Sequence, residues 1–309
     1  MGGPAMRRVT AVLLSAWVLG ACGATGWGED NLPPVLRAQV ALDGLLISPG
    51  VIDGVYGPST VQAVTLFQKL RGLPVTGKLD DGTLTLLTPQ ARGRLVKYRV
   101  TAADLADLGK VPEDWVARSR MKALPHQTLL ERLAERSHVT QNLLCDLNPG
   151  VVWLEVKAGD EVLLLDFPPV PAVKAEKLDL SLGEKAIRVV GPGNRLLAYF
   201  RCSIAEEPGN RPQGTLQVTT IVHDPAYTFD PALWPESGVD RKLTIPPGPN
   251  NPVGAVWIGL SKPGFGLHGT PDPEKVSYTG SHGCFRLTNW DVERLTAMVQ
   301  VGTPVVIRP

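Results

Sequence analysis

The chain has 309 residues, 43% of them apolar and 20% charged, with 31 Lys and Arg against 30 Asp and Glu. That length gives room for two or three domains with ordinary cores, and the composition excludes both a disordered chain and an all-membrane one. A net charge of +1 supplies no global field for nucleic acid, so any polyanionic partner would have to be held by a local site.

The N-terminus reads as an address. Arg7 and Arg8 precede an apolar run over residues 9–19 and then Gly20, Ala21 and Cys22. A basic start, a short apolar core and small residues before a break make a secretory signal, too short to span a membrane. The tail Leu19-Gly20-Ala21-Cys22 resembles the lipobox of bacterial lipoproteins. This implies that Cys22 becomes a lipidated first residue, with ordinary cleavage nearby as the alternative. Residues 1–22 are thus targeting sequence, and the body is expected in the cell envelope or periplasm, touching a membrane only through a lipid on Cys22. Three of the four cysteines remain in that body, and Cys145, Cys202 and Cys284 cannot all pair. If Cys145 and Cys202 pair or are buried, Cys284 is left as a free thiol.

Residues 32–92 read as short helices joined by turns. Asp53-Gly54 and Gly57-Pro58 punctuate a turn, Ser59 is a candidate helix cap, and Val61, Val64 and Phe67 recur at helical spacing. The set Gln39, Leu42, Asp53, Gly54, Gly57, Thr60, Ala63, Phe67, Gln68, Gly72 and Leu73 resembles the three-helix peptidoglycan-binding domain. Most of these residues are turn formers and core, so the match speaks for fold before contacts.

Residues 96–167 form a second unit. Thr128 opens an amphipathic helix with Leu129, Leu130, Leu133 and Ala134, a shorter helix carries Leu143 and Leu144, and Leu147-Asn148-Pro149-Gly150 leads towards a strand. This run is similar to the second half of a LysM glycan-binding module. The first half departs from the pattern through an insertion at 101–124, leaving glycan binding and a spacer role both open. Pro168-Pro169-Val170-Pro171 reads as a stiff connector.

From 176 to 309 the text is mainly strand. Residues 186–190 and 196–204 flank the turn Gly191-Pro192-Gly193-Asn194, extended runs recur at 215–222, 253–260 and 304–307, and one helix follows Thr288-Asn289, with Thr288 and Asp291 in a capping pattern. The chemistry concentrates between His268 and Asn289. His268-Gly269-Thr270 precedes Ser281-His282-Gly283-Cys284-Phe285-Arg286-Leu287. A cysteine nucleophile needs an imidazole to take its proton, and glycine beside it lets backbone N–H groups approach a reacting carbonyl. On the residues alone, either His268 or His282 could be that base. A zinc site would need further Cys or carboxylate ligands at spacing the text lacks, so no metal or cofactor is expected. His126, His138 and His223 have no comparable neighbours and read as surface or packing residues.

These signatures, with Ile245-Pro246-Pro247-Gly248 and Trp257-Ile258-Gly259-Leu260 in order ahead of them, resemble the L,D-transpeptidase (YkuD) catalytic domain. The expected architecture is therefore multidomain α+β: a small helical domain, a LysM-like α/β module and a mainly-β catalytic domain, a β-sandwich with a crossing helix. The resemblance implies Cys284 as nucleophile, His268 as base and the Gly269 carbonyl as the group that orients it. His282 and Gly283 would shape the oxyanion site, and Ser281, Arg286 and Tyr278 would contact substrate or brace the loop. Asn289 reads as a helix cap. The implied partners are peptidoglycan stem peptides and possibly glycan, with carbapenem-type β-lactams as covalent inhibitors and no nucleic acid. Trimming of the stem by water, or a non-catalytic wall-binding lipoprotein, are the alternatives. A papain-like peptidase is disfavoured because its nucleophile precedes its histidine.

Overall fold

The computed structural model describes residues 32–90, 92–171, 173–281 and 283–309. The signal segment with Cys22, and His282, lie outside the described residues. No helix among the described residues is long and apolar enough to cross a membrane.

Helices α1 (Pro34–Gly44), α2 (Pro58–Arg71) and α3 (Asp81–Leu87) make the N-terminal unit. Pro58, not Ser59, opens α2 after Gly57, because proline's fixed φ suits a first helical position; Ser59 lies buried one residue inside. Gly72 ends α2 at a φ of 65°, and the Asp80 side chain caps α3 through the Thr83 N–H. Ala38, Ala41, Leu42, Ala63, Val64, Phe67 and Leu87 form the core. The two glutamines of the motif staple loops: the Gln39 amide bonds the Gly54 N–H and the Asp53 carboxylate at 2.8 Å each, and Gln68 accepts from the Gly77 N–H at 2.8 Å.

The middle unit runs β1 (Arg94–Arg99), α4 (Ala102–Leu105), α5 (Trp115–Ser119), α6 (Leu129–Arg136), α7 (Gln141–Leu147) and β2 (Glu161–Asp166), with β1 and β2 antiparallel. Thr128 and Thr140 cap α6 and α7. Leu133, Leu144, Val162 and Leu164 share a core with Leu36 and Val40 of α1, so the first two units are fused through one helix. The insertion behaves differently. Its Val111, Trp115, Val116, Met121 and Leu124 pack on Phe229, Leu243 and Ile245 of the C-terminal unit.

That last unit holds β3 (Lys177–Ser181), β4 (Ala186–Gly191), β5 (Arg195–Arg201), β6 (Gly214–His223), β7 (Tyr227–Phe229), β8 (Leu243–Ile245), β9 (Val256–Leu260), β10 (Gly266–His268), β11 (Phe285–Arg286), α8 (Asn289–Met298) and β12 (Pro304–Arg308). As expected, this unit is mainly β: eight strands form one curled sheet in the order β11-β10-β9-β6-β12-β3-β4-β5, and β7 pairs with β8 as a separate hairpin. The sheet curls until its edges meet: beyond β5, Ser203 exchanges two backbone bonds with Arg286, at 2.8 and 3.1 Å, and Ala205 bridges Ser281. Val292, Leu295 and Met298 of α8 share the enclosed core with Val256, Ile258, Leu267 and Phe285.

The units are docked, not tethered. Asp43 of α1 forms a bidentate pair with Arg294 of α8, both bonds 2.9 Å, and its Oδ2 lies 3.0 Å from Nδ1 of His138 in the α6–α7 turn. His138 is stacked between Phe167 and Trp290, with ring centroids at 4.7 and 5.1 Å. Ser48 donates to Asp291 Oδ2 at 2.7 Å. Burial and the neighbouring Asp43 carboxylate push the Asp291 carboxyl up to about 7, and its Oδ1 has no hydrogen-bond partner among the described residues. Between the unfolded value near 3.8 and about 7, folding therefore takes up a proton at Asp291, and its contribution to stability falls as pH rises through that window. Asp291→Asn, which needs no proton, is expected to gain in melting temperature relative to the parent between pH 5 and pH 8, measured by calorimetry at both. A constant difference would contradict the assignment.

Candidate active site

The site is set by strand register. β10 and β11 run parallel, with Leu267 opposite Phe285 and His268 opposite Arg286. Side chains alternate along a strand. Leu267 and Phe285 fill the core, so His268, Arg286 and Cys284 share the opposite face. Cys284 comes immediately before β11, two residues ahead of Arg286, the register partner of His268. On the other side of β10, β9 brings Trp257 opposite His268, and the two rings stack at 5.7 Å and 17°. Gly266 is small for this reason: a Cβ there would lie 2.6 Å from the Trp257 ring and dislodge the support of the imidazole.

His268 is 6% exposed. Its Nδ1 donates to the Gly269 carbonyl at 2.6 Å, which leaves the lone pair on Nε2 and assigns the tautomer. Burial, and secondarily Arg286, pushes its pKa down to about 4 against the support of the Gly269 bond, so the ring is neutral at ordinary pH. The Cys284 sulfur contacts the Gly264 carbonyl at 3.4 Å. Burial raises its thiol pKa, and a backbone bond at Gly266 and the Arg286 guanidinium oppose the rise. The resting pair is thus a thiol and a neutral imidazole.

Ser281 ties the turn ahead of the sulfur: its hydroxyl donates to the Cys284 carbonyl at 2.5 Å and accepts from the Gly283 N–H at 3.3 Å. Arg286 is half-buried and reaches Thr279 at 3.4 Å. Tyr278 is 62% exposed and lines a cleft of about 250 Å³ shared with Gln39, Asp53 and Thr60 of the N-terminal unit. The structure therefore gathers His268, Gly269, Cys284, Arg286, Ser281 and Gly283, and sets Tyr278 in an inter-unit cleft. Cys145 and Cys202 are not bonded to each other; both are free thiols. Among the described residues no three His, Cys, Asp or Glu side chains converge as a metal cage.

Sequence reasoning misses three contributors. Thr288 caps α8 through the Asp291 N–H, as their spacing predicts, and Asn289, also read as a cap, does not. Asn289 instead turns inward: its Oδ1 accepts from the N–H groups of Ala255 at 3.0 Å and Thr270 at 3.1 Å, and a Cβ at Gly254 or Gly269 would collide with that oxygen. Trp257 is visible in the sequence as a strand residue, but only the register gives it a partner. Tyr227, on the β7–β8 hairpin, has its phenol pKa raised chiefly by burial and to a lesser degree by the Cys284 sulfur, so the hairpin lies within electrostatic reach of the site. Trp115 of the insertion packs on that hairpin, 4.5 Å from Phe229. An aromatic residue in an insertion with no core of its own is the one signal that could have found this hairpin.

Two family profiles match the chain. Residues 177–307 match the L,D-transpeptidase catalytic domain (YkuD), and residues 31–87 match a peptidoglycan binding domain. A Bacillus subtilis protein classed as L,D-transpeptidase YkuD is 44% identical over 178 residues, covering 58% of this chain and 92% of that protein. Its Bacillus licheniformis counterpart is 28% identical over 185 residues, covering 60% of this chain and 96% of its own. A solved L,D-transpeptidase from Xylanimonas cellulosilytica aligns with a TM-score of 0.38 at 16% identity, over 90% of this chain and 94% of that one.

Proposed function

The chain belongs to the L,D-transpeptidase (YkuD) family, and from that premise we propose that Cys284 carries out acyl transfer on peptidoglycan tetrapeptide stems. Cys284 Sγ attacks the carbonyl at the L-centre of the third stem residue while its proton passes to His268 Nε2. The C–N bond to the terminal D-alanine then breaks, and the proton leaves on the departing amine. A thioester remains. The side-chain amine of a second stem attacks it, the S–C bond breaks, and the proton returns through His268 to sulfur, leaving a 3→3 cross-link. Backbone N–H groups of Gly283 and Cys284 take the oxyanion. That of Gly283 rests on a 3.3 Å bond to Ser281, which a charged oxygen would outcompete. Arg286 offers its guanidinium to a substrate carboxylate, and Tyr278 faces the polymer side. The N-terminal unit holds peptidoglycan, the protein works in the cell envelope with Cys22 as its lipid anchor, and carbapenems acylate Cys284.

The observation that carries this reading is the shared sheet face of Cys284 and His268, with the Gly269 carbonyl fixing the imidazole tautomer. The test is mass spectrometry of muropeptides after incubation with tetrapeptide stems. A cross-linked dimer is expected, a trimmed tripeptide would make the enzyme an L,D-carboxypeptidase, and unchanged stems would overturn the proposal. His268→Ala is expected to slow carbapenem acylation by about 10²–10⁴-fold, and His282→Ala by less. The reverse order of rates would move the base role to His282.

A further inference from the structure

What fixes the imidazole of His268 lies partly outside the catalytic unit. The Gly269 carbonyl orients Nδ1, and the turn that carries it is pinned by Asn289, whose Oδ1 takes the Thr270 and Ala255 N–H groups together. Gly254 and Gly269 crowd that oxygen so closely that neither could carry a Cβ, so rotation of the Asn289 amide would move both turns. The orientation of that amide is set on its other side. Its Nδ2 donates to Glu135 Oε2 at 3.0 Å and, less closely, to the Pro249 carbonyl at 3.3 Å. Glu135 belongs to α6 of the middle unit. The same unit holds the Pro249 loop, where Asn250 Nδ2 reaches Glu131 at 2.6 Å and the Pro125 carbonyl at 2.7 Å.

The second oxygen of Glu135 lies 3.2 Å from His126 Nε2, and His126 Nδ1 accepts from Arg132 Nε at 3.4 Å. Because Nδ1 is an acceptor, Nε2 bears the proton. Glu135 therefore faces two donors, the His126 ring and the Asn289 amide, and only a carboxylate can accept from both. Arg132 is itself locked on the carbonyls of Ala103, Asp104 and Ala106 at 2.7–2.9 Å. The chain of bonds thus runs from the insertion of the middle unit to the turn beside the base.

We propose that Glu135 is a positioning residue of the transpeptidase site, supplied by the middle unit, which holds His268 in register through Asn289. This rests on the reading of Cys284 and His268 given above. It gives the middle unit a role in the reaction that needs no glycan contact: when α6 of the middle unit is displaced, the catalytic unit loses the pin on its base.

The donor and acceptor pattern supplies the test, on the full chain. Glu135→Gln places an NH₂ against one of two donors and breaks one bond. Asn289→Asp removes the donor that Glu135 accepts. In the double variant the pattern is exchanged, with the Gln carbonyl accepting from His126 and its NH₂ donating to the Asp carboxylate. Carbapenem acylation is followed by intact-mass spectrometry over a range of inhibitor concentrations, with the melting temperature of each variant alongside. The expected result is a maximal acylation rate about tenfold lower in each single variant, with half-saturation unchanged, and at least threefold recovery in the double variant. A Glu135→Gln rate within twofold of the parent, or a double variant no faster than the singles, would overturn the proposal. Should Glu135→Gln fail to fold, Glu135→Asp takes its place: it keeps the charge, shortens the reach, and is expected to be slower in the same way. A parent that is never acylated would instead remove the Cys284 assignment, and that outcome is read before any variant.

Discussion

Cys284→Ala is expected to form no covalent adduct with a carbapenem and to release no D-alanine from a tetrapeptide stem. The loss should be complete, because no other described thiol can stand in. Cys202 is fully buried, and burial pushes its pKa up to about 12; Cys145 lies on α7 of the middle unit, away from either histidine motif. Intact-mass measurement of parent and variant after incubation decides it, and an adduct persisting on the variant would remove Cys284 from the mechanism. The electrostatics of the resting site add a pH signature. With the Cys284 thiol raised by burial and the His268 ring held down at about 4, the neutral pair predominates at neutral pH, and activation takes place as the sulfur attacks. Acylation by the parent should then be nearly constant from pH 6 to pH 8, without the acidic limb near 6.5 that a free imidazole would impose. A profile with a half-point near 6.5 would mean that His268 ionises as an exposed histidine does.

The parts of this arrangement written in short stretches of sequence are the ones that can be read there. His268-Gly269 and Ser281 to Cys284 are local text, and strand register puts His268 opposite Arg286, two residues after Cys284. The helical unit is legible for a similar reason: Gly54, Gly72 and Gly77, all at positive φ, mark turns that few other residues tolerate. What escapes reading is closure over distance. That the sheet curls until residues 203–205 meet its far edge is something no local period encodes. Asn289 looks like a cap because it begins a helix, yet its partners are at Ala255, Thr270 and Glu135. His138 reads as a packing residue and is stacked between two rings, but its bond to Asp43 joins units that composition separates. The proline-rich connector suggests tethered modules for the same reason. Charges that meet only in the folded chain leave no mark in sequence spacing.

Asp43→Ala is expected to destabilise the protein by about 3–5 kcal/mol, the usual cost of leaving one member of a buried ion pair without its partner. The site is the seam where all three units meet. Burial alone would favour the neutral acid, but Arg294 and His138 outweigh it and hold the Asp43 carboxyl well below the usual carboxylate range. Removing it leaves the Arg294 guanidinium, 8% exposed, with Asp291 at 3.8 Å as its remaining carboxyl partner among the described residues, a longer contact than the two 2.9 Å bonds it loses. The sign with pH follows from the depressed pKa: the stability supplied by Asp43 is present above the unfolded carboxylate value and is lost as pH falls below it, so parent and variant should converge in acid. Calorimetry should find the variant melting on the order of 10 °C lower at pH 7, and a shift of 1 °C or less would show that the seam contributes little. A paired replacement separates charge from packing. If the penalty comes from stranding Arg294, Asp43→Leu combined with Arg294→Met should melt well above Asp43→Ala, because an apolar pair of similar volume leaves no buried charge. Since α8 carries Arg294, Asp291 and Asn289 on one rigid element, the single variant should also lose acylation rate near its melting range before global unfolding, and the double variant should keep it.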